Sequence, residues 1–353
     1  MMSVMCSAWI ASAQPAATPP QTAANAPFVL GPPREDGGPV VVRASFEILE
    51  ISAINDDKET FEFTGIMTLK WRDRRQAFDP AAAGVKEKIY QGAYQFNEIS
   101  PSWYPQLVLI NSAGSYESQG VVLRAEPDGT QTLIEKISAV AKADLNLRRF
   151  PFDSQTLTAV FQVLGFDRSE VTLQVDPAGS AIRSGLSIPQ WFIRGVSISS
   201  QDRPTFIAGK PSVTSGFATA VDARRASFYI SRLVILPLVV IVLLSFSVFW
   251  IEPSSTSDRM NISFIGILTA VAYQLVMNDT MPRIAYVTWM NACLSLSFLM
   301  MVGTVVVHLT VGNLDRKGNA ALALRIDRYC RWGFPLAYFG LLLGAAGVTF
   351  FIL

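Results

Sequence analysis

Four apolar segments in a row, residues 233–251, 260–277, 284–309 and 332–353, constrain this chain more than any other feature of its sequence. Each is near the roughly 20 residues that a helix needs to cross the hydrocarbon of a bilayer. The residues before them mix charges with short apolar runs. The chain therefore reads as an aqueous part followed by a membrane part, and its charged content of only 16% agrees. The expected division is a tail at 1–27, an aqueous domain at 28–228 and a membrane domain at 229–353, with helices at about 229–251, 259–281, 284–310 and 329–353. Pro237 and Pro335 are expected in opening turns, where a proline removes little hydrogen bonding.

The second segment is less apolar than the others, with Asn261, Ser263, Thr269 and Gln274 inside it. Polar groups facing lipid are costly, so this helix is expected to face water or protein. Between the third and fourth segments stand Arg316, Lys317, Arg325, Arg328 and Arg331 against Asp315 and Asp327. That positive excess points to the cytoplasm. Four spans of a cell inner membrane then leave both the N-terminal domain and the C-terminus extracytoplasmic.

Composition removes several functions. A net charge of +1 gives no reason to expect a nucleic-acid partner. The three cysteines, Cys6, Cys293 and Cys330, are too scattered to staple the aqueous part. A single histidine, His308, leaves no histidine cluster and no Ser-His-Asp set for that domain, so no catalysis, metal or cofactor is expected. Residues 1–13 end in Ala11-Ser12-Ala13, which reads either as a signal peptide lacking its basic start or as a disordered tail. The Ala/Pro/Thr-rich run 14–26 reads as flexible.

Residues 40–51, 61–71, 130–140, 156–164, 171–175 and 191–198 alternate as strands do. Turn signals separate them at Asn55-Asp56-Asp57, Asp79-Pro80, Pro127-Asp128-Gly129 and Asp176-Pro177. That density predicts an all-β sandwich of two antiparallel sheets, immunoglobulin-like, ahead of the transmembrane four-helix bundle.

Three motifs resemble the Cys-loop receptor superfamily of pentameric ligand-gated ion channels, in its prokaryotic branch. Phe150-Pro151-Phe152-Asp153-Ser154-Gln155 is similar to the core of the loop that names the superfamily. The two loop cysteines of animal receptors would fall at Ala143 and Leu157, and their absence is a mark of the bacterial branch. Trp103-Tyr104-Pro105 followed by Asn111 resembles the segment at the agonist site. Arg225, Tyr229 and Pro237 match the junction into the first membrane helix. Trp71-Arg72-Asp73-Arg74-Arg75, Phe78-Asp79-Pro80 and residues 148–157 look like proton-gated bacterial members. Ser247-Val248-Phe249-Trp250, residues 269–273 and Trp191-Phe192-Ile193-Arg194-Gly195 look more like amine-gated ones.

At about 100° per residue, Asn261, Ile265, Leu268, Ala272, Leu275 and Asp279 fall within an arc of roughly 80° on the second helix. Taken alone, such a stripe is open to two readings, a packed core face or a pore. The resemblance makes it the pore lining of a homopentamer, with Leu268 at the central gate position. Rings of Ile265, Leu268 and Leu275 would close the pore by shedding water. Asp258-Arg259 resembles the acidic–basic pair of cation-selective members, which implies monovalent cations as the permeant ions and rings of Asp258 and Asp279 as their selectors. Arg259 by the same resemblance points away from the axis.

The resemblance further implies a coupling cluster above the first helix, in which Asp57 and Asp153 flank Arg225, with Pro151 and Pro282 beside them. Two agonists stay open. The carboxylate-rich hairpin Asp56-Asp57-Lys58-Glu59 looks like that of proton-gated members, with Glu59 at the acidic sensor, although the pore-helix histidine of that type is here Ala270. A small amine would need an aromatic box, for which Trp103, Phe166, Phe206 and Phe217 are the candidates. The alternative to a channel is a membrane-tethered extracellular binding protein that conducts nothing.

Overall fold

The structure is a computed structural model that describes residues 31–35, 37–100, 102–177, 188–251, 256–278, 281 and 283–352. All contacts below lie within one unit, Pro32–Leu353. Two sheets form a β-sandwich, followed by four apolar helices long enough to cross a membrane.

The larger sheet has the order β3 (Lys88–Gln91), β5 (Ser112–Ala125), β6 (Thr130–Lys142), β2 (Thr60–Arg72), β1 (Val40–Asn55), β8 (Val171–Val175). The smaller has the order β4 (Leu107–Leu109), β7 (Ser154–Val163), β12 (Gly216–Arg225), β9 (Trp191–Ser200). β10 (Arg203–Ile207) and β11 (Lys210–Thr214) pair only with each other. Two single-turn helices, α1 (Pro80–Ala83) and α2 (Gly92–Tyr94), interrupt the stretch between β2 and β4.

β2 shows why these segments are strands. Its residues 61, 63, 65, 67, 69 and 71 are buried and the alternate ones are not, the period of two that puts one face inward. Phe46 and Phe63 from the larger sheet meet Phe161 and Phe217 from the smaller, with ring centroids 5.1–6.5 Å apart. Gly65 makes room for this stack, since a Cβ there would fall 2.4 Å from the Phe46 ring. Aspartates end elements as the turn signals predict. Asp79 caps α1 through the Ala81 amide, and Asp128 takes the Thr130 amide and hydroxyl in the β5–β6 turn. Those Thr130 bonds hold the Asp128 carboxyl below its usual value.

Ala143 and Leu157, where animal receptors carry cysteines, are both buried apolar residues. Asn111 stitches the same place. Its amide nitrogen donates to the carbonyls of Lys142 (2.8 Å) and Thr158 (2.7 Å), and its oxygen accepts from the Val160 amide (3.0 Å).

The helices are α3 (Ser227–Phe246), α4 (Thr256–Asn278), α5 (Trp289–Arg316) and α6 (Ala320–Gly347). Two expectations are corrected. Pro237 and Pro335 lie inside their helices, because α3 starts straight from β12 and α6 begins well before its apolar stretch. Arg325 and Arg328 accordingly stand on α6, ahead of the helix start expected at about 329, since arginine favours helix as readily as most apolar residues do.

Replacing Asn111 with Ala strips three backbone groups of their partner. The expected cost is about 2 kcal/mol, seen as a lowered melting temperature of the detergent-solubilised protein by tryptophan fluorescence.

Candidate functional site

Arg225 is the last residue of β12, with only Ala226 between it and α3. It is 4% exposed, and its guanidinium donates to both oxygens of Asp153 (2.9 and 3.2 Å) and to Asp56 (2.8 Å). The rings of Trp191 and Phe150 lie 4.2 and 4.9 Å from it. Burial pulls its pKa down, but the hydrogen bonds and charges of Asp56 and Asp153 outweigh burial and leave it raised. Gln155 donates to the second Asp153 oxygen at 2.6 Å and fixes the carboxylate from the other side.

The partner from the first hairpin is thus Asp56, not Asp57. Asp57 points toward the helices and accepts the Arg283 backbone N–H at 2.8 Å. The reason is local. Asn55 takes the Lys58 amide in a tight turn, so the two adjacent carboxylates diverge. Glu59 ends that turn at φ 51, the left-handed region, and its carbonyl accepts the Ala143 amide at 2.8 Å. Pro282 and Asp279 lie outside the described residues.

The loop containing Pro151 rests on the helices. Phe152 packs edge-on against Trp289 (5.6 Å) and Phe350 (5.8 Å). The Leu147 amide donates to the Tyr286 hydroxyl at 2.9 Å, and the Trp289 amide donates to the Arg148 carbonyl at 3.0 Å. The sandwich core runs without a break into Ile230, Val234, Met277 and Met290. Sequence reading missed Tyr286, Trp289 and Arg283. An aromatic pair flanking the start of α5, with Thr288 capping it, was the available signal.

α4 has two faces. Arg259, Ser263, Ala270 and Met277 are buried within the chain. Asn261, Ile265, Leu268, Ala272 and Leu275 face away from it, with Ile265 64%, Leu268 70% and Leu275 70% exposed. At the start of the helix Asp258 is exposed while its neighbour Arg259 turns inward. Arg259 pairs with Asp327 of α6 through bonds of 2.7 and 3.3 Å and also reaches the Ile251 carbonyl. Arg331 lies 3.9 Å from the same carboxylate and donates to the Phe249 carbonyl at 3.1 Å. Asp327 entered the sequence reading only as a loop charge, because nothing in one sequence ties it to a residue 68 positions away.

The four aromatic candidates do not form one box. Trp103 stands edge-on to Trp71 (6.1 Å) and to Phe166 (5.9 Å). Phe206 is 75% exposed on the β10–β11 hairpin. Phe217 is corrected. It lies in β12 and is fully buried, stacked on Phe161 in the sandwich core, so it presents no surface to a ligand.

The neurotransmitter-gated ion-channel ligand binding domain family matches residues 28–214, just over half of the chain. A proton-gated ion channel of Gloeobacter violaceus is 27% identical over 314 residues, 88% of this chain and 84% of that protein. The gamma-aminobutyric acid receptor subunit rho-2 of Homo sapiens is 22% identical over 306 residues, 85% of this chain and 63% of the subunit. The acetylcholine receptor subunit beta of Xenopus laevis is 25% identical over 263 residues, 71% of this chain and 51% of the subunit.

Substituting Arg225 with Met leaves Asp153 buried without its partner. The expected loss is about 3–5 kcal/mol, read as a large drop in melting temperature. Asp57→Asn, on the exposed side of the turn, is expected to leave the melting temperature within scatter.

Proposed function

The chain belongs to the neurotransmitter-gated ion-channel ligand binding domain family, and from that premise we propose that five identical copies form a ligand-gated, cation-selective channel in the cell inner membrane. The extracytoplasmic sandwich senses the agonist and α4 lines the pore. The observation that carries this reading is the stripe Asn261, Ile265, Leu268, Ala272 and Leu275, apolar over most of its length and turned away from the chain's own bundle. A helix face that its own chain leaves bare needs water or a neighbour, and a fivefold axis supplies both. Rings of Ile265, Leu268 and Leu275 then make an apolar constriction that dewets when narrow.

Cation selectivity in this reading rests on Asp258 at the mouth, helped by Asp279 at the far end. Five carboxylates raise the local concentration of cations. The adjacent arginine would cancel them if it faced the axis, and its pairing with Asp327 keeps it away. Coupling runs through Arg225, Asp153, Asp56 and Pro151, with Asp57 and Pro282 on the side of the link into α5. Tilting the sandwich drags α3 by the clamp and α5 by the Trp289 contact.

Protons are the agonist that the geometry favours. With Phe217 in the core, the amine box keeps only Trp103 with Phe166 and the detached Phe206. The Asp56, Asp57 and Glu59 turn sits directly on the clamp, and a relative of the same length class is named a proton-gated ion channel. Displacing that turn would change the load on α3 through the Asp56–Arg225 bond.

The test is voltage clamp of cells expressing the chain, stepping external pH from about 8 to about 4, the low end of which reaches the ordinary carboxylate values. An acid-activated current whose reversal follows the sodium gradient is expected. Leu268→Ala should raise agonist sensitivity by about tenfold, by wetting the constriction more readily. Asp258→Asn should move the reversal potential toward that of chloride. A current evoked only by small amines would move the agonist to the Trp103 and Phe166 region. Silence with protein at the surface, persisting in Leu268→Ala, would support a tethered binding protein instead.

A further inference from the structure

α3 interrupts its own hydrogen-bond ladder. Pro237 lies well inside the helix and has no N–H, so it gives nothing to the Leu233 carbonyl four residues earlier. In a bilayer no water makes up the loss. The missing donor comes from another helix. The Tyr273 hydroxyl of α4 lies 3.0 Å from the Leu233 carbonyl oxygen and 2.9 Å from that of Val234. The Tyr273 ring packs against two separate apolar groups, one containing Val234 and Met277, the other Leu238, Cys293 and Leu294. Two turns earlier on the same face of α4, Gly266 lets the helices approach closely. A Cβ at Gly266 would fall 2.5 Å from the Ser245 hydroxyl oxygen.

We propose that Tyr273 is a positioning residue for the gate: its hydroxyl replaces the N–H that Pro237 lacks, and this bond sets the rotation of α4. The proposal rests on the channel reading above. Leu268 projects about 140° away from Tyr273 around the helix, so the two side chains lie on nearly opposite faces. Any rotation that moves the Leu268 ring off the pore axis swings the Tyr273 hydroxyl along α3. The two neighbouring carbonyls offer it an acceptor on either side of a short travel. Beyond that travel the bond breaks and the Leu233 carbonyl is left without a partner. The bond therefore resists rotation of α4 in one range and releases it in another.

A double-mutant cycle tests this. Tyr273→Phe keeps the ring and removes the hydroxyl. It is expected to change the half-activating agonist concentration by about fivefold, the worth of one hydrogen bond. In a Pro237→Ala background residue 237 again carries an N–H for Leu233. The same substitution is then expected to change that concentration by less than about twofold. An unchanged value in Tyr273→Phe, or an equal change in both backgrounds, overturns the proposal. The melting temperature of the solubilised protein is measured on the same four chains. A loss in Tyr273→Phe that shrinks in the Pro237→Ala background supports the bond without recourse to current, and an additive loss overturns it. Silence with surface expression that persists in Leu268→Ala overturns the gating role together with the channel reading, while the melting cycle still decides whether the hydroxyl serves Pro237.

Discussion

A buried guanidinium ties together the base of the sandwich at the point where its last strand runs into the first membrane helix. Arg225 ends the last strand of the sandwich and only Ala226 separates it from the first membrane helix, so its position is shared by both. A charge this deeply buried is tolerated only when it is fully paired, and the partners come from two other segments. Asp56 belongs to the first hairpin and Asp153 to the loop before β7, while Trp191 and Phe150 close the site with their ring faces. Pulling any one of these segments away would expose an uncompensated charge to an apolar surround. The hairpin, the loop and the root of α3 must therefore move as one body, and the same loop carries Phe152 onto Trp289 and Phe350. In the proposed channel a displacement at the sandwich base would reach α3, α5 and the end of α6 through these contacts.

Much of this arrangement was legible in the sequence, and the parts that were not share a cause. Every alternating segment named from the sequence is a strand, because a period of two with turn residues at both ends leaves the backbone few other options. The missed strands are β3 and β4, both short, β5, whose first half is exposed and polar, and the β10–β11–β12 run, where the turn signals are weak. Phe217 was misplaced for that last reason. As a candidate for the aromatic box it looked available to a ligand, but as a residue of β12 it faces the sandwich core. Asp56 and Asp57 show a finer limit. Two adjacent carboxylates in a turn are chemically alike, and only the turn geometry decides which one meets the guanidinium.

The stripe on α4 raises a question that composition cannot answer. Ile265, Leu268 and Leu275 suit a core as well as a pore, and in lipid no hydrophobic force distinguishes burying leucine against protein from leaving it against acyl chains. The orientation has to come from contacts with direction. α4 has three of them on one face, at three heights. Arg259 bonds Asp327 at its start, Gly266 seats against Ser245 in the middle, and Tyr273 bonds the α3 carbonyls near its end. A salt bridge, a close backbone approach and a hydroxyl bond each lose their free energy within a small rotation, whereas a leucine contact does not. These three contacts fix α4 about its axis, and the apolar stripe faces outward because the polar face is committed inward. In the proposed channel the residues that define the pore are thus placed by residues that never touch it. The gate is therefore as sensitive to the back of the helix as to the front, and substitutions far from the axis would alter opening without altering what the ions meet.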